Sequence, residues 1–168
     1  MHEFLYTIGE YLILINILVL FAYQFVAPDK SSFGAILTIV VLMQMLQMWY
    51  EHFLIYSLAE TFSKESIRIF WYMGFAVIDF AAVKICVSYC SYRNMTREKA
   101  GNFILLSVLL LGVMQLARFA DRILIESNML GWVYKHMIPT FNFGITFAAT
   151  AYVAFIITGK IHNHLKEQ

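Results

Sequence analysis

The stretch FILLSVLLLGVMQLARFADRIL, residues 103–124, is apolar apart from Ser107 until Gln115, and its charges Arg118, Asp121 and Arg122 gather toward one end. It is long enough to cross a bilayer as a helix, for which ~20 predominantly apolar residues suffice. Working outward, four more stretches read the same way: Thr7 to Val26, Phe33 to Ala59, Ile69 to Tyr89 and Phe141 to Thr158. Five spans nearly exhaust a chain of 168 residues. The sequence therefore predicts an all-α polytopic membrane protein, a single transmembrane domain over residues 1–168 folded as a bundle of five transmembrane helices.

Composition points the same way. The chain is 61% hydrophobic and 14% charged with a mean hydropathy of +0.69, whereas about 25% of the residues of a soluble domain are charged. The longest polar stretches, Ser91 to Asn102 and Gly159 to Gln168, fall well short of the ~40 residues that a separate domain needs. Function is thus expected in or at the lipid bilayer. The opening Met1-His2-Glu3-Phe4 lacks a basic signal region, so the first span is expected to be retained. A net charge of +1 argues against nucleic acid as a partner. Cys86 and Cys90, four apart on one helical face, have neither a second cysteine pair nor a nearby histidine; they read as packing thiols rather than a metal site.

Basic residues near span ends orient the chain, because Lys and Arg are retained on the cytoplasmic side. One set of loops holds Lys30, Arg93, Arg97, Lys99, Lys160 and Lys166; the other holds Lys64, Arg68, Arg122 and Lys135, a bias of six against four. An external N-terminus and a cytoplasmic C-terminus follow, with Trp49, Trp71 and Trp132 near the outer interface. Asn94-Met95-Thr96 forms a glycosylation sequon that competes with this orientation, and between Arg93 and Arg97 it reads as an unused coincidence. Compact loops point to a bacterial inner membrane. Arg93, Arg97 and Lys99 are then the candidate contact for a cytoplasmic protein partner.

Polar side chains inside spans are costly unless partnered, so their pattern carries what functional signal there is. Gln44, Gln47 and Glu51 share one face of the second span, and Gln115, Arg118 and Arg122 repeat that spacing 71 residues later. Ladders of opposite charge at similar depth predict that Glu51 meets Arg118 or Arg122. With Glu10, His52 and Asp121 they make a candidate polar cluster in the outer leaflet, either a set of interhelical contacts or an externally accessible vestibule. The repeat also hints at a duplicated two-helix hairpin. Asp79 lies near the midplane, ~15 Å from its span end at ~1.5 Å per residue; its expected partner is Arg118 or Thr150, or else it is a proton or cation site. Lys84 can snorkel and is given no role. In the fifth span Asn142, Thr146, Thr150 and Thr158 lie on an i+4 stripe, completed by Ala154, that reads as helix packing or as a conduit wall.

Familiar intramembrane chemistry is missing. There is no His-Glu-x-x-His pattern, no glycine-rich phosphate cradle, and no pair of histidines at matching depth for haem: His52 and His136 lie toward the outer interface, while His2, His162 and His164 fall in the tails. No catalytic residue, metal or cofactor is expected. Two functional classes remain: a non-enzymatic, homo-oligomeric sensor or scaffold of an exclusion, immunity or antiviral defence system, and a small homo-oligomeric channel or proton conduit.

Overall fold

A computed structural model describes the backbone of residues 2–27 and 31–166, with side chains described at 11–27, 31–160 and 162. Five helical segments follow one another: α1 (His2–Val26), α2 (Ser32–Phe53), α3 (Lys64–Tyr92), α4 (Lys99–Phe119) and α5 (Gly131–Lys166). α2 and α4 each continue into one π-helical segment, Leu54–Leu58 and Ala120–Leu124, at the same end of the bundle. The segments Ser32–Leu58, Lys64–Tyr92, Lys99–Leu124 and Gly131–Lys160 are long and apolar enough to cross a membrane, and Tyr11–Val26 in α1 is a shorter apolar stretch. The chain is an all-α membrane bundle.

Most helices overrun the spans expected from hydropathy, and side-chain caps set the starts of α2 and α3. Ser31 accepts the Gly34 N–H at 3.1 Å to start α2, and Ser63 accepts the Ser66 N–H at 3.2 Å to start α3. At the other end of α3, Asn94 takes φ 51°, while the Asn94 N–H bonds the Ser91 carbonyl and the Met95 N–H bonds the Cys90 carbonyl. This is a left-handed helix stop of the kind that glycine and asparagine tolerate, which gives Asn94 a backbone role apart from any sequon. The largest overrun is at α5, which begins at Gly131 and passes through Pro139; membrane helices tolerate the lost N–H because neighbouring groups re-satisfy the backbone.

Short connections make successive helices antiparallel. α1 packs on α2 and α5, α2 on α3, α3 on α4 and α4 on α5, so the bundle closes into a ring. A ring with an odd number of helices must place two parallel neighbours side by side, and here they are α1 and α5. α2 and α4, also parallel, touch across the ring and carry much of the core: Phe33, Ile36, Leu37 and Val40 from α2 meet Ile104 and Val108 from α4, with Cys86 of α3 and Ile145 and Ala149 of α5. Both cysteines are buried free thiols within this packing.

Opposite ends of the ring are fastened differently. At one end Ser32 donates its hydroxyl to the Glu98 carboxylate, joining the starts of α2 and α4, and the Lys160 ammonium bonds the Val26 carbonyl, joining α5 to the end of α1. At the π-helical end, Trp49 stacks on Phe53 at 5.5 Å, Trp71 leans on Phe75 at 5.0 Å and Trp132 on His136 at 4.5 Å. All three tryptophans share that end, as an interfacial belt requires.

Candidate functional site

Two groups of buried polar side chains stand out, at different depths. The first lies in mid-bundle. Asn16 of α1, 0% exposed, donates its amide to Gln44 Oε1 at 2.9 Å, and Gln47, one turn along α2, donates to Asp79 Oδ1 at 2.7 Å. Asp79 on α3 is 1% exposed. It sits against α4 where Gly112 leaves room: a Cβ there would come within 3.2 Å of the Asp79 Cβ and 3.0 Å of the Phe80 ring. Among the described residues, Asp79 Oδ2 and Asn16 Oδ1 have no hydrogen-bond partner. Polar atoms left this way inside an apolar bundle are costly.

The second group closes the π-helical end of α4. Asp121 accepts hydrogen bonds from Arg118, the Ser127 hydroxyl, and the Met129 and Leu130 N–H groups, the last two at 3.2 Å each. Arg118 forms an ion pair with Asp121, bonds Asn128 Oδ1 at 2.6 Å, and lies 5.9 Å from the centroid of the Tyr134 ring. Tyr134 in turn donates its hydroxyl to Gln115 Oε1 at 2.8 Å. Arg122 reaches the Ser127 carbonyl at 3.5 Å. The arrangement is a clamp: the carboxylate gathers the free N–H groups just ahead of α5, and the guanidinium pins the connecting loop to α4. Glu126 in that loop takes φ 54°, the strained backbone that the tight return demands.

The sequence ladders meet several partners that spacing did not point to. Arg118 finds a carboxylate three residues along its own chain at Asp121, because the α4–α5 connection folds back over the helix end and supplies partners locally. Glu51 is half-buried on α2, and His52 lies exposed with its ring 4.3 Å from that of Tyr56. Glu10 has its side chain outside the described residues. Asp79 pairs with Gln47 rather than with Arg118 or Thr150. Arg118 lies six residues beyond Gly112, which faces Asp79, hence ~9 Å further along α4 at ~1.5 Å per residue.

The stripe on α5 does not stay on one wall. Each i+4 step advances ~40° around a helix of 3.6 residues per turn, so four steps turn it by ~160°. Thr146 is buried, Asn142 half-buried, and Thr150 and Thr158 are exposed. Their hydroxyls are taken by their own helix: Thr146 bonds the Asn142 carbonyl at 3.1 Å, Thr150 the Thr146 carbonyl at 2.8 Å and Thr158 the Ala154 carbonyl at 3.0 Å.

Arg93, Arg97 and Lys99 are exposed together on the α3–α4 turn, while Glu98 between them turns inward to Ser32. Residues overlooked by pattern reading include Asn16, Ser127, Asn128 and Tyr134. A lone amide inside an apolar span is itself a signal for Asn16, since such a group needs a partner on another helix; the other three lie outside any ladder and become partners only through the folded loop. Comparison with protein-family models, with curated proteins and with solved structures finds no match to this chain.

Proposed function

We propose that this chain is a non-enzymatic multi-pass membrane protein that assembles with copies of itself and couples an event at its clamped, tryptophan-bearing end to a protein partner at its basic end. The class is a sensor or scaffold of an exclusion, immunity or antiviral defence system. In this reading the membrane is a bacterial inner membrane, the N-terminus is external, and the turn carrying Arg93, Arg97 and Lys99 is cytoplasmic.

One observation carries the reading. α2 and α4 are in contact and run in the same direction, each has a π-helical segment at one end, and Ser32 and Glu98 tie them together at the other, where the basic turn emerges. A π segment is a local departure from regular winding, common at functional positions. A change of winding there moves the core pair as a unit and reaches the turn through the Ser32–Glu98 link. The test places a photo-crosslinking amino acid at Arg97 in the full chain in its native membrane. One discrete adduct with a soluble protein, lost when Arg93 and Lys99 are both changed to Gln, is the expected result, with reporter fusions after Lys99 and Gln168 both reading cytoplasmic. No adduct, or an external reading at either fusion, overturns the proposal.

A second reading, a small homo-oligomeric channel or proton conduit, is favoured by the buried, unpartnered Oδ2 of Asp79. The hydroxyls of the α5 stripe, being spent on backbone carbonyls, lend it no support. Ion and proton flux in proteoliposomes separates the two. Flux that disappears in Asp79→Asn at unchanged oligomer size replaces the sensor with the conduit, and absence of flux in either protein removes the conduit.

A further inference from the structure

The parallel seam between α1 and α5 holds an open groove of about 290 Å³ lined by Ile15, Leu18, Ala22, Thr150, Ala154 and Ile157, with Val19 and Val153 at its floor. Its lining is almost wholly apolar; the Thr150 hydroxyl is turned to its own helix. Small side chains, Ala22 on one wall and Ala154 on the other, keep the seam open. Leu18 and Phe25, which share this face of α1, are strongly exposed, so the groove faces the surroundings of the bundle rather than its interior.

It runs from Ala22 to Ile15 on α1 and from Ile157 to Thr150 on α5, ~10 Å at ~1.5 Å per residue, and its far end lies ~15 Å from Lys160, half of a hydrocarbon core of ~30 Å. The groove therefore starts near one interface and ends near the midplane. At the interface end stands Lys160, whose ammonium bonds the Val26 carbonyl and, with three donors, retains capacity for a second acceptor. The same end of the bundle presents exposed Arg93, Arg97 and Lys99, and the acid beside them, Glu98, is bonded to Ser32. An apolar slot that opens just below the Lys160 ammonium fits an apolar chain joined to an anionic head.

We infer that the α1–α5 seam is a binding site for an anionic phospholipid, one acyl chain lying in the groove and the headgroup at Lys160. Apolar contact holds the chain, and the Lys160 ammonium selects the headgroup, since a Lys or Arg near a membrane surface adds to the attraction for anionic lipid. The inference does not depend on the proposed coupling role.

The test uses the full chain reconstituted in nanodiscs with equal parts phosphatidylglycerol and phosphatidylcholine, then native mass spectrometry of the lipids retained after extraction into detergent. The unmodified protein is expected to keep phosphatidylglycerol in preference to phosphatidylcholine. Lys160→Gln is expected to lower that preference about fivefold, and Ala154→Trp, which fills the groove from an exposed position, to lower retention of both lipids. Phe147→Trp, exposed on α5 outside the groove, serves as the control and leaves retention unchanged. Equal retention of the two headgroups by the unmodified protein overturns the inference, as does retention indifferent to Ala154→Trp. Conversion of a dimer to a monomer by Ala154→Trp also overturns it and assigns the seam to a second copy of the chain.

Discussion

Asp121 and Asp79 are both buried carboxylates, on neighbouring helices, yet Asp121 collects hydrogen bonds from four groups and Asp79 from the single amide of Gln47. Position along the helix explains the difference. Asp121 lies where α4 ends and α5 is about to begin, so free backbone N–H groups and a flexible loop are at hand. Asp79 lies mid-helix, where each backbone N–H is already bonded within the helix, and donors have to come from side chains of adjoining helices. A carboxylate at a helix end is built into the scaffold by its own chain, while one at mid-span depends on tertiary packing and retains unused bonding capacity.

Stability measurements can break that comparison. The largest effect is expected for Arg118→Leu, which removes the pair with Asp121 and the bond to Asn128 together and lowers stability by about 2 kcal/mol. Unfolding of the detergent-solubilised protein measures it, and a loss smaller than that of any mid-bundle variant would remove the clamp from its place as the main fastening of the α4–α5 end.

Asn16→Leu should cost less, about 1 kcal/mol, because interhelical hydrogen bonds in membranes are individually modest. Gln44→Leu together with Asn16→Leu is expected to cost less than the two single changes added, since neither partner is then left with an unmet group. Strict additivity would mean that the amide pair does not act as a pair.

The smallest change is expected at Asp79→Asn, within about 0.5 kcal/mol of the unmodified protein. The amide oxygen can still accept from Gln47, and the atom replaced, Oδ2, has no partner among the described residues. A loss approaching that of Arg118→Leu would erase the contrast between the two carboxylates. Indifference in stability combined with a change in flux would sharpen it, turning an unused bonding site into a functional one.

Much of the fold was legible in the chain. Five apolar runs, the charged residues at their ends and the three tryptophans are one-dimensional signals, and bilayer thickness turns such signals into spans. Many of the buried polar residues, though not Asn16, were legible as members of a set but not as pairs. Spacing by three and four places Gln44 and Gln47 on one face of α2, yet gives no account of which helix covers that face; the closed ring brings Asn16 to the one and Asp79 to the other. The local pairing of Arg118 with Asp121 was not legible for the same reason, because equal depth is necessary for contact but does not specify azimuth.

By itself the sequence determined that this is an all-α membrane bundle, since the lengths and apolarity of its helices are local properties that lipid reads directly. Only the tertiary structure decided that α1 closes the ring beside α5, that α2 and α4 end in π-helical segments, and that Asp121 receives Arg118. Those outcomes depend on how helices rotate about their axes and on where loops fold back. Both are settled by side-chain packing between segments distant in the chain, which no periodicity within one segment records.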